Sequence, residues 1–161
     1  MIQNPQKTLI AGFGEAIKSL GLTCGGIEHE AQPAPHRPHK LPKGKCAIYV
    51  FSLSRTYGQC CPAGVGRVLK VGKAGPKSNA RFQSHHYDPT RALSTLARTL
   101  VISKVLWHYL GITELTSKQV GDWIRNNTDR DNFYLDSKDN DILGQFEKYI
   151  RGRLGPVFEG G

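Results

Sequence analysis

The residue whose setting first suggests chemistry is a glutamate at the border of an apolar stripe. Between Asp139 and Leu154, steps of about 100° per residue place Leu143, Phe146, Ile150 and Leu154 on one arc, with Glu147 only about 40° from Leu143. A carboxylate so near a core is costly unless a cation offsets its lost hydration. Either a basic neighbour in a border salt bridge or a divalent metal ion is therefore expected beside it. Arg81 and His85 are four residues apart on a short helical segment. That spacing puts a guanidinium and an imidazole on one face, where both can reach a single phosphate, although ordinary exposed helices carry such pairs too. Tyr49 lies in an apolar run and Lys73 follows a glycine. On spacing alone these are a strand aromatic and a loop lysine.

The composition narrows the partner. The 161 residues suit one domain with a proper core. Lys plus Arg number 22 against 13 Asp plus Glu, a net charge of +9 that favours a polyanion. No apolar run approaches the roughly 20 residues of a membrane span, so nucleic acid is expected and a membrane is not. The four cysteines, Cys24, Cys46, Cys60 and Cys61, have no zinc-like or disulfide-framework spacing, and the first residues do not read as a secretion signal. The default expectation is a reducing cytoplasm.

Periodicity and turn signals supply the elements that must hold these residues. Thr8 to Leu22 has helical spacing weakened by Gly12 and Gly14. Gly25 to Lys45, rich in Pro and His, reads as an irregular connector. Cys46 to Ser52 and Arg67 to Val71 read as two strands, antiparallel across a long Gly-, Pro- and Cys-rich loop. Ser78 or Asn79 caps a helix through Arg81 and Phe82 to Tyr87, before Pro89. Leu93 to Trp107 reads as one helix closed by Gly111, and Thr116 with Gln119 as a capping box for a helix through Trp123 and Ile124. A short strand at Phe133 to Leu135 and a helix from about Asp139 to Leu154, stopped by Gly155 and Pro156, complete the order.

Taken in order, Ala47-Ile48-Tyr49, Lys70-Val71-Gly72, Lys73, Arg81, His85 and Glu147 resemble the GIY-YIG endonuclease family. Val71-Gly72-Lys73-Ala74 is similar to the corresponding stretch of bacterial excision-repair nucleases, and Glu147 through Pro156 to Phe158 to the family's terminal block. The likeness spans Cys46 to about Glu159. It implies an α+β domain over residues 46–161, with a small, three-stranded, mostly antiparallel sheet flanked by helices. A helical insertion would lie at about 92–127, and residues 1–45 would be an irregular extension.

The resemblance also implies an activity, hydrolysis of DNA phosphodiester bonds with magnesium or manganese. Tyr49 would accept the proton of the attacking water, Arg81 would neutralise the phosphate, and His85 would assist by hydrogen bonding or proton transfer. Lys73 would support catalysis, Lys70 and Gly72 would bind substrate, and Glu147 would hold the metal. Three positions depart from the pattern: Ala47 for glycine, Lys70 for the second tyrosine and Glu159 for asparagine. The lysine at 70 leaves room for a DNA-binding module on the same fold without catalysis. Target recognition is expected from the insertion, from a homodimer on a two-fold site, or from a partner protein.

Overall fold

The apolar run around Tyr49 is buried on both sides, and that explains its unbroken hydrophobic character. The computed structural model describes residues 4–54, 67–91 and 95–158. Its elements run α1 (Pro5–Ser19), β1 (Glu28–Gln32), β2 (Lys45–Leu53), β3 (Val68–Ala74), α2 (Asn79–Gln83), a 3-10 turn (His85–Tyr87), α3 (Leu96–Ile102), α4 (Lys104–Leu110), α5 (Val120–Asn127), β4 (Thr128–Asp136), a second 3-10 segment (Ser137–Ile142) and α6 (Leu143–Leu154). The strands form one antiparallel sheet in the order β1-β4-β2-β3. Ala47, Tyr49, Phe51 and Leu53 of β2 pack with Phe82, Leu96, Leu100 and Ile124 on one face. Cys46, Ile48 and Val50 pack with Phe13 and Ile17 of α1 and Phe146 and Ile150 of α6 on the other. The fold is thus α+β, with helices covering both faces.

The expected three strands are four. The segment read as an irregular connector contributes β1, which pairs with β4 from Glu28↔Tyr134 to Gln32↔Arg130. Its residues show no hydrophobic alternation because polar contacts hold it. Glu30 accepts from the Tyr134 hydroxyl at 2.7 Å and from Asn132 at 2.9 Å, and His29 meets Asp131 at 2.6 Å. The other histidines of that segment are also structural: His36 bonds the Thr128 carbonyl and the Tyr87 hydroxyl, both at 2.8 Å, and His39 bonds Glu30 at 2.9 Å.

Strand β4 extends well beyond the expected Phe133 to Leu135, since Thr128, Arg130 and Asn132 are buried polar residues. The helix expected across Leu93 to Trp107 is two helices with a break at Ser103. The Trp107 indole N–H donates to the Leu100 carbonyl at 2.7 Å, occupying the acceptor that a continuous helix would use for its own backbone. Thr116 and Gln119 form half a capping box, the Gln119 side chain accepting the Thr116 N–H at 3.3 Å. The first turn of the expected terminal helix is 3-10, and α6 ends at a left-handed Gly155. The loop with Cys60 and Cys61, Leu93 and Glu159 lie outside the described residues.

Candidate active site

Strand β3 is the outer strand on its side of the sheet, and the site is built around its free edge. Tyr49 lies on the neighbouring strand, paired with Gly72. A Cβ on Gly72 would come within 2.5 Å of the Tyr49 ring, so the absence of a side chain lets the ring cross β3 and its hydroxyl reach the edge. There the hydroxyl faces the Lys73 carbonyl at 3.4 Å and the His86 Nε2 at 2.6 Å. The neighbouring edge carbonyl, Val71 O, accepts from the Arg151 guanidinium at 3.2 Å. Further along, the N–H groups of Val157 and Phe158 bond the Val68 and Leu69 carbonyls, both at 2.9 Å. A bulge between Phe51 and Ser52 in the β2–β3 pairing lies beside Lys70.

A cleft of about 550 Å³ opens beside this edge, lined by Lys73, Gly75, Ser78, Arg81, Asn140, Leu143, Gly144, Glu147 and Arg151. Three expected site residues from three different elements, Lys73, Arg81 and Glu147, therefore line one cavity. Glu147 has its side chain only 12% exposed, Oε1 2.9 Å from Arg151 and Oε2 3.7 Å from Lys73. The basic neighbour that its position demands is thus present, one helical turn on.

His86, rather than His85, joins the tyrosine. Helix α2 ends at Gln83, and the following residues wind as a 3-10 turn, so the spacing rule that put Arg81 and His85 on one face lapses after the first turn. His86 is fully buried and His85 partly exposed; neither is among the residues lining the cleft, nor are Gly72 and the buried Tyr49 and Lys70, which lie behind it. Burial, followed by the charges of Arg81 and Arg130, holds His86 well below the usual histidine range and hence neutral. Its Nδ1 lies 3.2 Å from the Leu96 N–H and must accept from it. The imidazole proton then sits on Nε2 and donates to the Tyr49 oxygen, leaving the phenol's own proton directed at the Lys73 carbonyl.

The tyrosine is pulled in two directions. Burial prevails and raises its pKa above the ordinary tyrosine value, helped by the charge of Glu147, while the charges of Arg81 and Arg130 and a hydrogen bond from Arg81 favour the phenolate. Lys70, 1% exposed, is pushed down to about 8 by burial and then by Arg151 and Arg81, with Glu147 opposing. Among the described residues its ammonium has no hydrogen-bond or ion-pair partner. The edge of β3 therefore gathers Lys70, Lys73, Arg81 and Arg151 around one carboxylate, a field that suits phosphate.

Sequence reasoning did not name His86 or Arg151. A signal existed for the arginine, which stands four residues after Glu147 on the same helix. None existed for His86, because its inward direction depends on where α2 stops. Among the described residues no group of three or more His, Cys, Asp or Glu side chains gathers to hold a metal ion. The oxygen-bearing side chains lining the cleft are Glu147, Asn140 and Ser78, and both Glu147 oxygens face cations. Comparison with protein-family models, with curated proteins and with solved structures finds no match to this chain.

Proposed function

We propose that this chain is a metal-dependent DNA endonuclease of GIY-YIG type, with the cleft beside β3 as its active site. The observation that carries the reading is the arrangement around Tyr49. Its hydroxyl receives a hydrogen bond from a neutral imidazole and points its proton at a carbonyl, within the field of a guanidinium on the same cleft as Glu147.

The chemistry follows from those groups. Burial keeps Tyr49 above the ordinary tyrosine range, so its phenolate is a minor form at neutral pH. That form, held by His86 and Arg81, takes a proton from a water molecule, whose oxygen bonds to phosphorus as the bond to the 3′ oxygen breaks. The proton received by Tyr49 restores the hydrogen bond to the Lys73 carbonyl, and the 3′ oxygen takes its proton from solvent. Arg81 and Lys73 neutralise the charge spreading over the phosphoryl oxygens. Glu147, fixed by Arg151, would hold magnesium or manganese, which supplies Lewis-acid stabilisation of the leaving oxygen. Lys70 adds positive charge where the family carries a second tyrosine, and Gly72 keeps the tyrosine's path clear. His85 keeps no role of its own in this scheme, which His86 takes over.

DNA is the proposed substrate on the strength of the net charge of +9 and the cationic cleft. A symmetric double-strand cut would need a second copy of the site, hence a homodimer or a partner protein. Among the described residues no helix is long and apolar enough to cross a membrane. The presence of Lys70 favours one other reading, a binding module that holds DNA without cutting it. Nicking of supercoiled plasmid with magnesium or manganese separates the two. Unmodified protein is expected to cut, while Tyr49→Phe, Arg81→Ala and Glu147→Ala still shift DNA in a gel and do not cut. Binding by all four with cutting by none would leave the binding module as the better account.

A further inference from the structure

A buried arginine behind the tyrosine has no role in the scheme above. Arg130, on β4, is 1% exposed, and its guanidinium carbon lies 4.4 Å from the centre of the Phe82 ring, 4.9 Å from that of Tyr49 and 5.3 Å from that of Phe51. Its donors go only to neutral acceptors: Nε to Asn132 Oδ1 at 2.8 Å, one terminal nitrogen to the Tyr87 hydroxyl at 3.0 Å, the other to the Phe82 carbonyl at 2.8 Å. Among the described residues Arg130 makes no ion pair. The nearest linked carboxylate, Glu30, is reached only through Asn132. A buried charge is normally paired, because dehydration without a counter-ion is costly, so an arginine satisfied by rings and neutral oxygens leaves its field free to act on its surroundings.

We propose that Arg130 is the positioning residue of this site: it locks the Tyr49 ring and the Arg81 helix in one geometry and sets an uncompensated positive charge behind the tyrosine. The first part follows from the bonds. Phe82 is the next residue after Arg81, so the bond to its carbonyl ties α2 to β4 directly at the phosphate-binding arginine. Tyr87 ends the 3-10 turn that carries His86, so the bond to its hydroxyl fixes that turn as well. The second part follows from the ring contact, because the guanidinium faces the Tyr49 π-system, whose electron density grows on ionisation.

The other charged or titratable groups around the tyrosine are Arg81 on α2, His85 and His86 on the turn, Lys70 and Lys73 on β3, and Glu147 on α6. Around Arg130 stand His36, His86, Tyr87 and Tyr134, with Arg125 beyond Tyr87 and Glu30 beyond Asn132. Asp129 and Asp131, its neighbours along β4, are engaged by the Ala34 N–H and by His29. Arg130 is thus the cation that touches the tyrosine ring from inside the fold, as Arg81 meets its hydroxyl from the cleft.

This inference rests on the nuclease reading for its catalytic meaning, and the test keeps the two apart. Tyrosine labelled with carbon-13 at Cζ is titrated by NMR in unmodified protein, Arg130→Lys and Arg130→Met, with Tyr49→Phe assigning the signal. Plasmid nicking is followed in parallel from about pH 6 to about pH 10. In Arg130→Met the Tyr49 midpoint is expected to rise by about one pH unit. Nicking should fall about tenfold at neutral pH and recover as pH rises by the same amount. Arg130→Lys should move both by less. Below the tyrosine's midpoint the nicking profiles of unmodified protein and Arg130→Met should run parallel, about one pH unit apart. An unchanged Tyr49 midpoint, or undiminished nicking by Arg130→Met where the unmodified protein cuts, overturns the proposal. If Arg130→Met does not fold, the unmodified protein decides: the Arg130 Nε–H signal must shift with the Tyr49 midpoint and stay still in Tyr49→Phe, and indifference to Tyr49 overturns it. If no preparation cuts DNA, the nuclease reading fails while the titration still decides the place of Arg130.

Discussion

The Tyr49 ring passes over Gly72 so closely that a Cβ there would lie 2.5 Å from its Cε2. Gly72→Ala is therefore expected to displace the ring or open the β2–β3 pairing, with a stability loss of about 1–3 kcal/mol of the kind overpacking brings. Nicking should fall further than stability does, because the hydroxyl leaves His86. Denaturant unfolding alongside a nicking assay checks both. Unchanged stability with full activity would mean that the ring tolerates the methyl group.

Lys70→Met should stabilise the protein at neutral pH. Burial lowers the folded-state pKa of Lys70 from 10.5 to about 8, so the unfolded chain binds its proton more tightly than the native one. At neutral pH both states are protonated and the whole penalty falls on the folded state. The penalty shrinks as pH rises from about 8 towards 10.5. A gain of about 1–3 kcal/mol near neutrality, fading through that window, is expected by chemical denaturation. The same substitution should weaken DNA cutting, as removal of strained, functional charge commonly does.

Acid should unfold the chain through its buried histidines. Burial lowers the pKa of His36 from 6.5 to about 4, and His86 is shifted the same way. Between those values the unfolded state binds more protons, so stability is full above about 6.5 and is lost as pH falls towards 4. For His36 the loss amounts to roughly 3 kcal/mol. In His36→Asn the dependence of stability on pH across this window should lose about one proton's worth of slope. An unchanged slope would place the acid sensitivity elsewhere.

Glu147→Ala removes the one carboxylate among the residues lining the cleft while leaving Lys73, Arg81 and Arg151 in place. DNA should then bind at least as tightly, with no cutting in magnesium or manganese. The dependence of log K on log salt should become no shallower, since no phosphate-contacting cation has been lost. Weaker binding than in the unmodified protein would mean that the carboxylate organises the cations more than it opposes them.

How much of this was readable beforehand depended on whether a residue's environment repeats with a simple period. Strand β2 was legible because apolar neighbours cover both its faces, and α6 because its stripe and its Gly155-Pro156 stop agree. Strand β4 was largely hidden, since Thr128, Arg130 and Asn132 turn inward and satisfy one another and their neighbours by hydrogen bonds, which leaves a polar-looking sequence. Strand β1 was hidden for the same reason, held through Glu30 and His29. The break at Ser103 depends on an indole reaching back across a turn, which periodicity does not encode. In the site, Lys73, Arg81 and Glu147 could be named singly, and the structure lines one cleft with them. The substitution of His86 for His85 was set by the last turn of a five-residue helix.

The two layers that cover the sheet also divide the site. Tyr49, Arg81 and His86 belong with the layer containing α2 and α3, whereas Glu147 and Arg151 ride on α6 across the sheet, and they come together only around the rim of β3. A chain with just one layer docked would hold half a site, so a hydrolytic centre of this design would come into being only at the close of folding. On the nuclease reading, a nascent or damaged copy would remain chemically silent.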